Sequence, residues 1–349
     1  MGTAVESKPR KTILCFEWAR GFAAAMVVLL HVTQGIMSNY PISAIGESRA
    51  IIWTVTQFLL TRWAVPVFLM ISGALLLNPE KQTRWKDIWR YERRMALVLA
   101  TFGYVFCLME QYAGTHQLSP ELFGISVLNL LSGRSWSHLW YLYAMMGIYV
   151  LLPMVKAYTT SAGREDLRTF LIILFVLTVC IPSLNSALST AIDTLIWIPS
   201  YLFYFLLGYY AFTYIDSTPP RLISACIFLV VLGSFAQISY IASGNYGDWV
   251  RSPSSIVVAG LSLMVFLLFK NHYEKPYSPK GVVAFASSYS FGIYVLHPIF
   301  LNIAYKALGL GPWSAPPVLF ELSMWAVAFF GSAAMVWIMR KIPGMRRIL

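Results

Sequence analysis

Apolar residues in this chain come in long unbroken blocks, without the alternation of a half-buried strand or the single stripe of a water-soluble helix. Ten blocks approach the roughly 20 residues a helix needs to cross the hydrocarbon core of a bilayer. They run from about 12 to 37, 50 to 77, 92 to 113, 138 to 157, 168 to 185, 195 to 214, 221 to 243, 254 to 271, 284 to 307 and 317 to 340. The pattern predicts an all-α, polytopic membrane protein with about ten transmembrane helices. The longest gap, 114 to 137, is too short for a soluble domain, so residues 1–349 read as a single integral membrane domain. Within that gap, Leu118 to Leu131 is apolar enough for a short helix at the membrane interface. A removable leader would pair a short apolar stretch with a small-residue cleavage site, and 12 to 37 is too long for that, so the first block is expected to stay as a helix.

Composition agrees with the pattern. Of 349 residues 58% are hydrophobic and only 12% charged, about half the charge of an ordinary soluble domain. The net charge of +11 sits at the ends of the blocks, where membrane topology accounts for it, and nucleic acid is not an expected partner. Counting loops alternately, one side takes Lys8, Arg10 and Lys11, then Lys81, Arg84, Lys86, Arg90, Arg93 and Arg94. The same side takes Lys156, Arg164 and Arg168, Arg221, then Lys270, Lys275 and Lys280, and finally Arg340, Lys341, Arg346 and Arg347. The other side has Arg49, Arg134, Arg251 and Lys306. Both termini are therefore expected in the cytoplasm. Cys15, Cys107, Cys180 and Cys226 fall in separate blocks without paired or metal-binding spacing and read as small buried apolar residues.

Candidate chemistry lies where polar residues interrupt the blocks. Arg20 and His31 stand eleven positions apart in the first, which on a helix brings them within roughly 20° of one face and about 16 Å apart along the axis. Ionisable groups inside a membrane usually face a protein interior or a watery cavity. For Arg20, snorkelling to the interface or pairing with Glu17 stays open beside a site role. Arg90, Arg93 and Arg94 present guanidinium groups suited to phosphates, though topology alone also explains a basic helix entry. Pro66 permits a kink, and Ser72-Gly73 permit either close helix packing or a narrow ligand passage. His138 and Trp140 open the fourth block. In the ninth, Ser287, Ser290, Tyr294 and His297 share one helical face, open to a site or to hydrogen bonding between helices.

Together these stretches resemble the acyltransferase 3 family of integral membrane acyltransferases that modify bacterial surface sugars. The resemblance rests on Arg20-x10-His31, Arg90-x-x-Arg93, Pro66-x-Phe68-x-x-Ser72-Gly73 and Ser290-Phe291-Gly292-Ile293-Tyr294-x-x-His297, in that order over nearly the whole chain. The short chain and His138-Leu139-Trp140-Tyr141 are most similar to the branch that O-acetylates enterobacterial common antigen.

The resemblance implies transfer of an acetyl group from cytoplasmic acetyl-CoA, across a bacterial inner membrane, to a hydroxyl of a surface or lipid-linked glycan. Acetyl-CoA would be a substrate, with no permanently bound cofactor and no metal. His31 and Arg20 are then the catalytic candidates, Arg90, Arg93, Ser72 and Gly73 the donor-binding ones, and His138, Trp140 and His297 those for the acceptor. His31 would act as general base, or carry the acyl group as an acyl-imidazole. No esterase-like domain is attached, so a self-contained transferase or a separate partner is expected. A permease or flippase for a glycan intermediate is the alternative that the same intramembrane Arg and His residues allow.

Overall fold

The computed structural model describes residues 12–40, 42–117, 119–188, 199–216, 219–242, 252–272 and 281–349, and among them there are helices and no strands. All ten blocks are helical: α1 (Thr12–Asn39), α2 (Glu47–Leu76), α3 (Trp85–Thr115), and, after a short α4 (Pro120–Leu131), α5 (Ser137–Ser161) and α6 (Arg164–Ser186). There follow α7 (Ser200–Tyr214), α8 (Pro220–Ala242), α9 (Ile256–His272), α10 (Ala284–Ala307) and α11 (Pro317–Met339). Among the described residues eight of these helices are long and apolar enough to cross a membrane; α7, with 15 residues, and α9, with 17, are shorter. The chain is an all-α, multi-pass membrane protein. Helix α4 is the short helix read at 118 to 131. Leu118, residues 195–198, residue 243 and the topology markers Lys8, Arg10, Lys11, Arg251, Lys275 and Lys280 lie outside the described residues, as does the side chain of Cys15. Of the other cysteines, all free thiols, Cys107 and Cys226 are buried and Cys180 partly so.

Contacts divide the chain into two compact units. The first comprises residues 1–74 and 168–332, the second residues 75–167 and 333–349.

In the first unit α1 packs along α10. Indole and phenol groups of neighbouring helices donate to its carbonyls: Trp325 Nε1 to Ala25 O at 2.9 Å and Tyr305 Oη to Val32 O at 3.1 Å. Helix α2 is not uniform. A π-helical segment, Thr56–Thr61, ends in a turn at Arg62-Trp63, and a fresh α-helix starts at Ala64. Pro66 therefore sits in a first turn, where its missing N–H leaves no bond unmade. The kink expected from the proline is realised just before it, and Arg62 stands at the break.

The two units treat one problem alike. A helix end within or near the bilayer leaves carbonyls that need donors. In the first unit Lys270 of α9, only 8% exposed, donates from Nζ to Ala211 O (3.1 Å), Phe212 O (2.9 Å) and Ile215 O at the end of α7. In the second, Lys156 of α5 donates to Leu76 O (3.3 Å), Asn78 O (3.0 Å), Lys81 O and Thr83 Oγ1 (3.2 Å), closing the end of α2 and the loop after it. Each cation also meets the negative end of a helix dipole. Both lysines had been placed by topology alone; the structure makes them caps.

This assigns a stability role that can be measured. Lys270→Met is expected to cost about 1.5–3 kcal/mol, the worth of hydrogen bonds from a charged donor, seen as a lower unfolding temperature of the detergent-solubilised protein. The exposed Lys306→Met should stay within about 0.5 kcal/mol of the parent. Equal stabilities for the two variants would remove the capping role.

Candidate functional site

The packing of α1 on α10 brings His31 and His297 together, with ring centroids 4.8 Å apart and planes inclined at 51°. Each ring is oriented by its own helix. Nδ1 of His31 lies 2.8 Å from Val27 O, and Nδ1 of His297 lies 3.0 Å from Ile293 O. A carbonyl only accepts, so each Nδ1 carries the hydrogen, and in the neutral ring Nε2 holds the lone pair. Both imidazoles are thus set up as bases at Nε2. His297 is fully buried and His31 intermediate in exposure. Tyr294, one turn before His297, has its ring 6.4 Å from it. Pro298 lacks an N–H, which releases the Tyr294 carbonyl from the helical ladder beside the pair. The hydroxyl stripe is partly inward-looking: Ser290 Oγ donates to Ser287 O at 2.8 Å.

Arg62 adds a cation to this group, close enough for its charge to act on the His31 ring. The sequence signal for Arg62 was an arginine in the middle of an apolar block four residues before a proline, which marks a helix break that can hold a charge at membrane depth. Arg20 is half-buried on α1, whose continuity from Thr12 to Asn39 sets it about 16 Å from His31 along the axis. Arg62 is thus an arginine whose charge acts on His31.

Ser72 and Gly73, expected to border the donor, serve helix contacts here. Ser72 Oγ donates to Phe68 O, one turn back, at 2.9 Å. A Cβ on Gly73 would fall on the carbonyl of Phe205, and one on Gly208 would fall on the backbone of Met70. Helices α2 and α7 therefore meet backbone to backbone at two glycines, the close approach that small residues allow in membranes.

The remaining candidates belong to the second unit. Arg90 pairs with Asp87 one turn back and Arg93 is exposed. Arg94 is committed to the C-terminal residues, with Nε to Ile348 O at 3.1 Å and Nη2 to Leu349 O at 3.4 Å. Trp85 and Trp89 on the same stretch are exposed, as suits a helix entry at the membrane interface. His138 is buried among aromatics, its ring 6.0 Å from Phe106 and 6.3 Å from Trp136. Trp136 in turn donates from Nε1 to Glu110 at 3.0 Å. Trp140 stands edge-on to Tyr141. His138 and Trp140 thus sit in a different unit from His297, with which they had been grouped as acceptor contacts.

Comparison with known proteins gives this arrangement a family. The family model described as an acyltransferase domain, Acyl_transf_3, matches residues 13–339. A protein of Bacillus subtilis (strain 168) named "Putative membrane-bound acyltransferase YfiQ" is 30% identical over 159 residues, a match covering 42% of this chain and 41% of that protein. No solved structure matches.

The glycine contact separates packing from ligand binding. Gly73→Val should lower thermal stability by about 1–3 kcal/mol or abolish folding, because the α7 backbone has to move. Ser72→Ala, which removes only a bond within its own helix, should stay within about 0.5 kcal/mol. A Gly73→Val variant as stable as the parent would show that the two backbones are not in contact.

Proposed function

This chain belongs to the acyltransferase 3 family of membrane acyltransferases, and on that premise we propose that it moves an acetyl group from acetyl-CoA at the cytoplasmic face to a glycan hydroxyl outside a bacterial inner membrane. The observation that carries the reading is the histidine pair, in which the half-buried His31 offers Nε2 as a base. Nε2 takes the proton of the acceptor hydroxyl as its oxygen attacks the thioester carbonyl. The C–S bond then breaks and the thiolate leaves, taking up that proton to give CoA thiol. If instead Nε2 attacks the carbonyl, an acyl-imidazole forms and is passed to the hydroxyl in a second step. In either course the carbonyl oxygen becomes negative, and the guanidinium of Arg62, whose charge acts on His31, is suited to receive it. His297 orients the reacting groups from the other helix.

At the donor's other end, Arg90 and Arg93 at the start of α3 suit its diphosphate, because guanidinium groups make strong, directional bonds to phosphate oxygens. Family membership speaks against a permease, since the intramembrane Arg and His then have a chemical task.

The assay is the transfer of labelled acetyl from acetyl-CoA to glycan in membranes carrying the protein, together with the O-acetyl signals of surface glycans from cells with and without it. His31→Ala should lower transfer by about 10²- to 10⁴-fold at unchanged membrane levels. Near-parental activity would exclude His31 as base or acyl carrier.

Arg62→Lys keeps the charge but loses the planar fork. It should lower kcat by about ten-fold or more with little change in KM for acetyl-CoA, and Arg62→Gln by more, toward the 10²- to 10³-fold seen when an oxyanion donor is removed. A rise in KM with unchanged kcat would move Arg62 from the reacting carbonyl to ground-state binding.

A further inference from the structure

The second unit contains a cavity that none of the family's motifs explains. It is a groove widely open to the surface, with a volume of about 600 Å³. Gln82, Thr83 and Arg84 line it from the segment before α3, and Lys156, Thr160 and Ser161 from the end of α5, over an apolar floor. None of its lining residues is acidic. Lys156 carries its charge at the wall, since the four groups that accept from Nζ are three carbonyls and a hydroxyl. The charge of Lys81 acts on the same ammonium. Arg84 is exposed and its Nη2 donates to the neutral Gln82 Oε1 at 3.2 Å. The carboxylate at hand, Asp87, is taken by Arg90 and by the backbone N–H of Arg84 at 3.2 Å. The N-terminus of the long helix α3 opens here too, and its dipole favours an anion.

We propose that this cavity binds the phosphorylated ribose of the donor, with the 3′-phosphate of CoA on Arg84 in the field of Lys156 and Lys81. The inference rests on the reading of acetyl-CoA as donor. A phosphomonoester dianion is the chemistry that clustered cations recognise, here Arg84 and Lys156 at the wall with Lys81 acting on Lys156. The apolar floor of Pro153 and Ala157 suits the adenine. Order along α3 fits as well: Arg90 and Arg93 follow Arg84 by about 9 and 13.5 Å of helix rise. A nucleotide at Arg84 would therefore have its diphosphate further along the helix, toward the membrane.

The test uses the full-length protein in nanodiscs of neutral lipid and compares the affinity of CoA with that of dephospho-CoA, which lacks only the 3′-phosphate. The parent should prefer CoA by about ten-fold or more. Arg84→Ala should bring CoA down to the affinity of dephospho-CoA and leave the latter unchanged. Equal affinities in the parent, or an equal loss of both ligands in Arg84→Ala, would overturn the proposal while leaving acetyl-CoA as donor. Failure of the parent to bind CoA or acetyl-CoA at all would overturn the donor reading and the cavity's assignment with it. A lipid headgroup is the other source of a phosphomonoester. Loss of phosphatidic acid binding in Arg84→Ala, with CoA discrimination intact, would assign the cavity to lipid and overturn the proposal.

Discussion

An imidazole inside a membrane helix has two nitrogens and one easy partner, the carbonyl one turn back. His31 and His297 both use it, and the consequence is chemical as well as structural. Tying Nδ1–H to the backbone fixes the ring's rotation and its tautomer together, so that Nε2 is the nitrogen that holds the lone pair. The arrangement requires two helices to be pressed together at one height. Packing of α1 along α10 supplies that, with Trp325 and Tyr305 bonded to α1 carbonyls above and below. Without that contact the two histidines would be separate polar interruptions in two apolar helices.

The same demand, that polar backbone be satisfied without water, explains features remote from the histidines. Lys156 and Lys270 each close the carbonyl end of another helix from a position on α5 or α9. A lysine is suited to this, with three donors and a flexible stem that can reach several carbonyls at once. Proline is placed where it costs little at Pro66, in a first helical turn, while Pro298 releases a carbonyl one turn back, next to His297. Glycine serves at Gly73 and Gly208, where two backbones touch. These are packing solutions, and the histidine pair stands on them.

Much of the fold was legible in the sequence because a bilayer makes a coarse demand. About 20 apolar residues per crossing is a length criterion, and the ten blocks meet ten helices. Boundaries were less legible: α3 begins at Trp85, seven residues before the block, because a helix does not stop where hydrocarbon ends. His31 and His297 stood out as ionisable groups in apolar helices, but periodicity gives a face and never the partner helix, so their meeting could not be read. Ser72-Gly73 were read for two roles, and distance alone shows that glycine serves the approach of α7. Lys156 and Lys270 were hidden in plain view, since a lysine at a cytoplasmic helix end is what topology already demands.

Arg62 shows why a charge is harder to read than a hydrophobic block. Arg20 drew attention because it shares a helical face with His31, and along one helix spacing is the only geometry a sequence states. That geometry also holds Arg20 about 16 Å away in a continuous helix, four times the reach of a contact ion pair. Arg62 lies on another helix, with no sequence relation to His31, and becomes its neighbour only because α2 breaks at Arg62-Trp63 and restarts before Pro66. A break is where a helix can turn a polar side chain and freed backbone toward a cavity without leaving a ladder of unmade bonds in lipid. Placing the cation at the break, and the histidines on two other helices, divides the labour on the proposed mechanism: two helices hold the nitrogens, and the irregular one would carry the charge that a developing oxyanion needs.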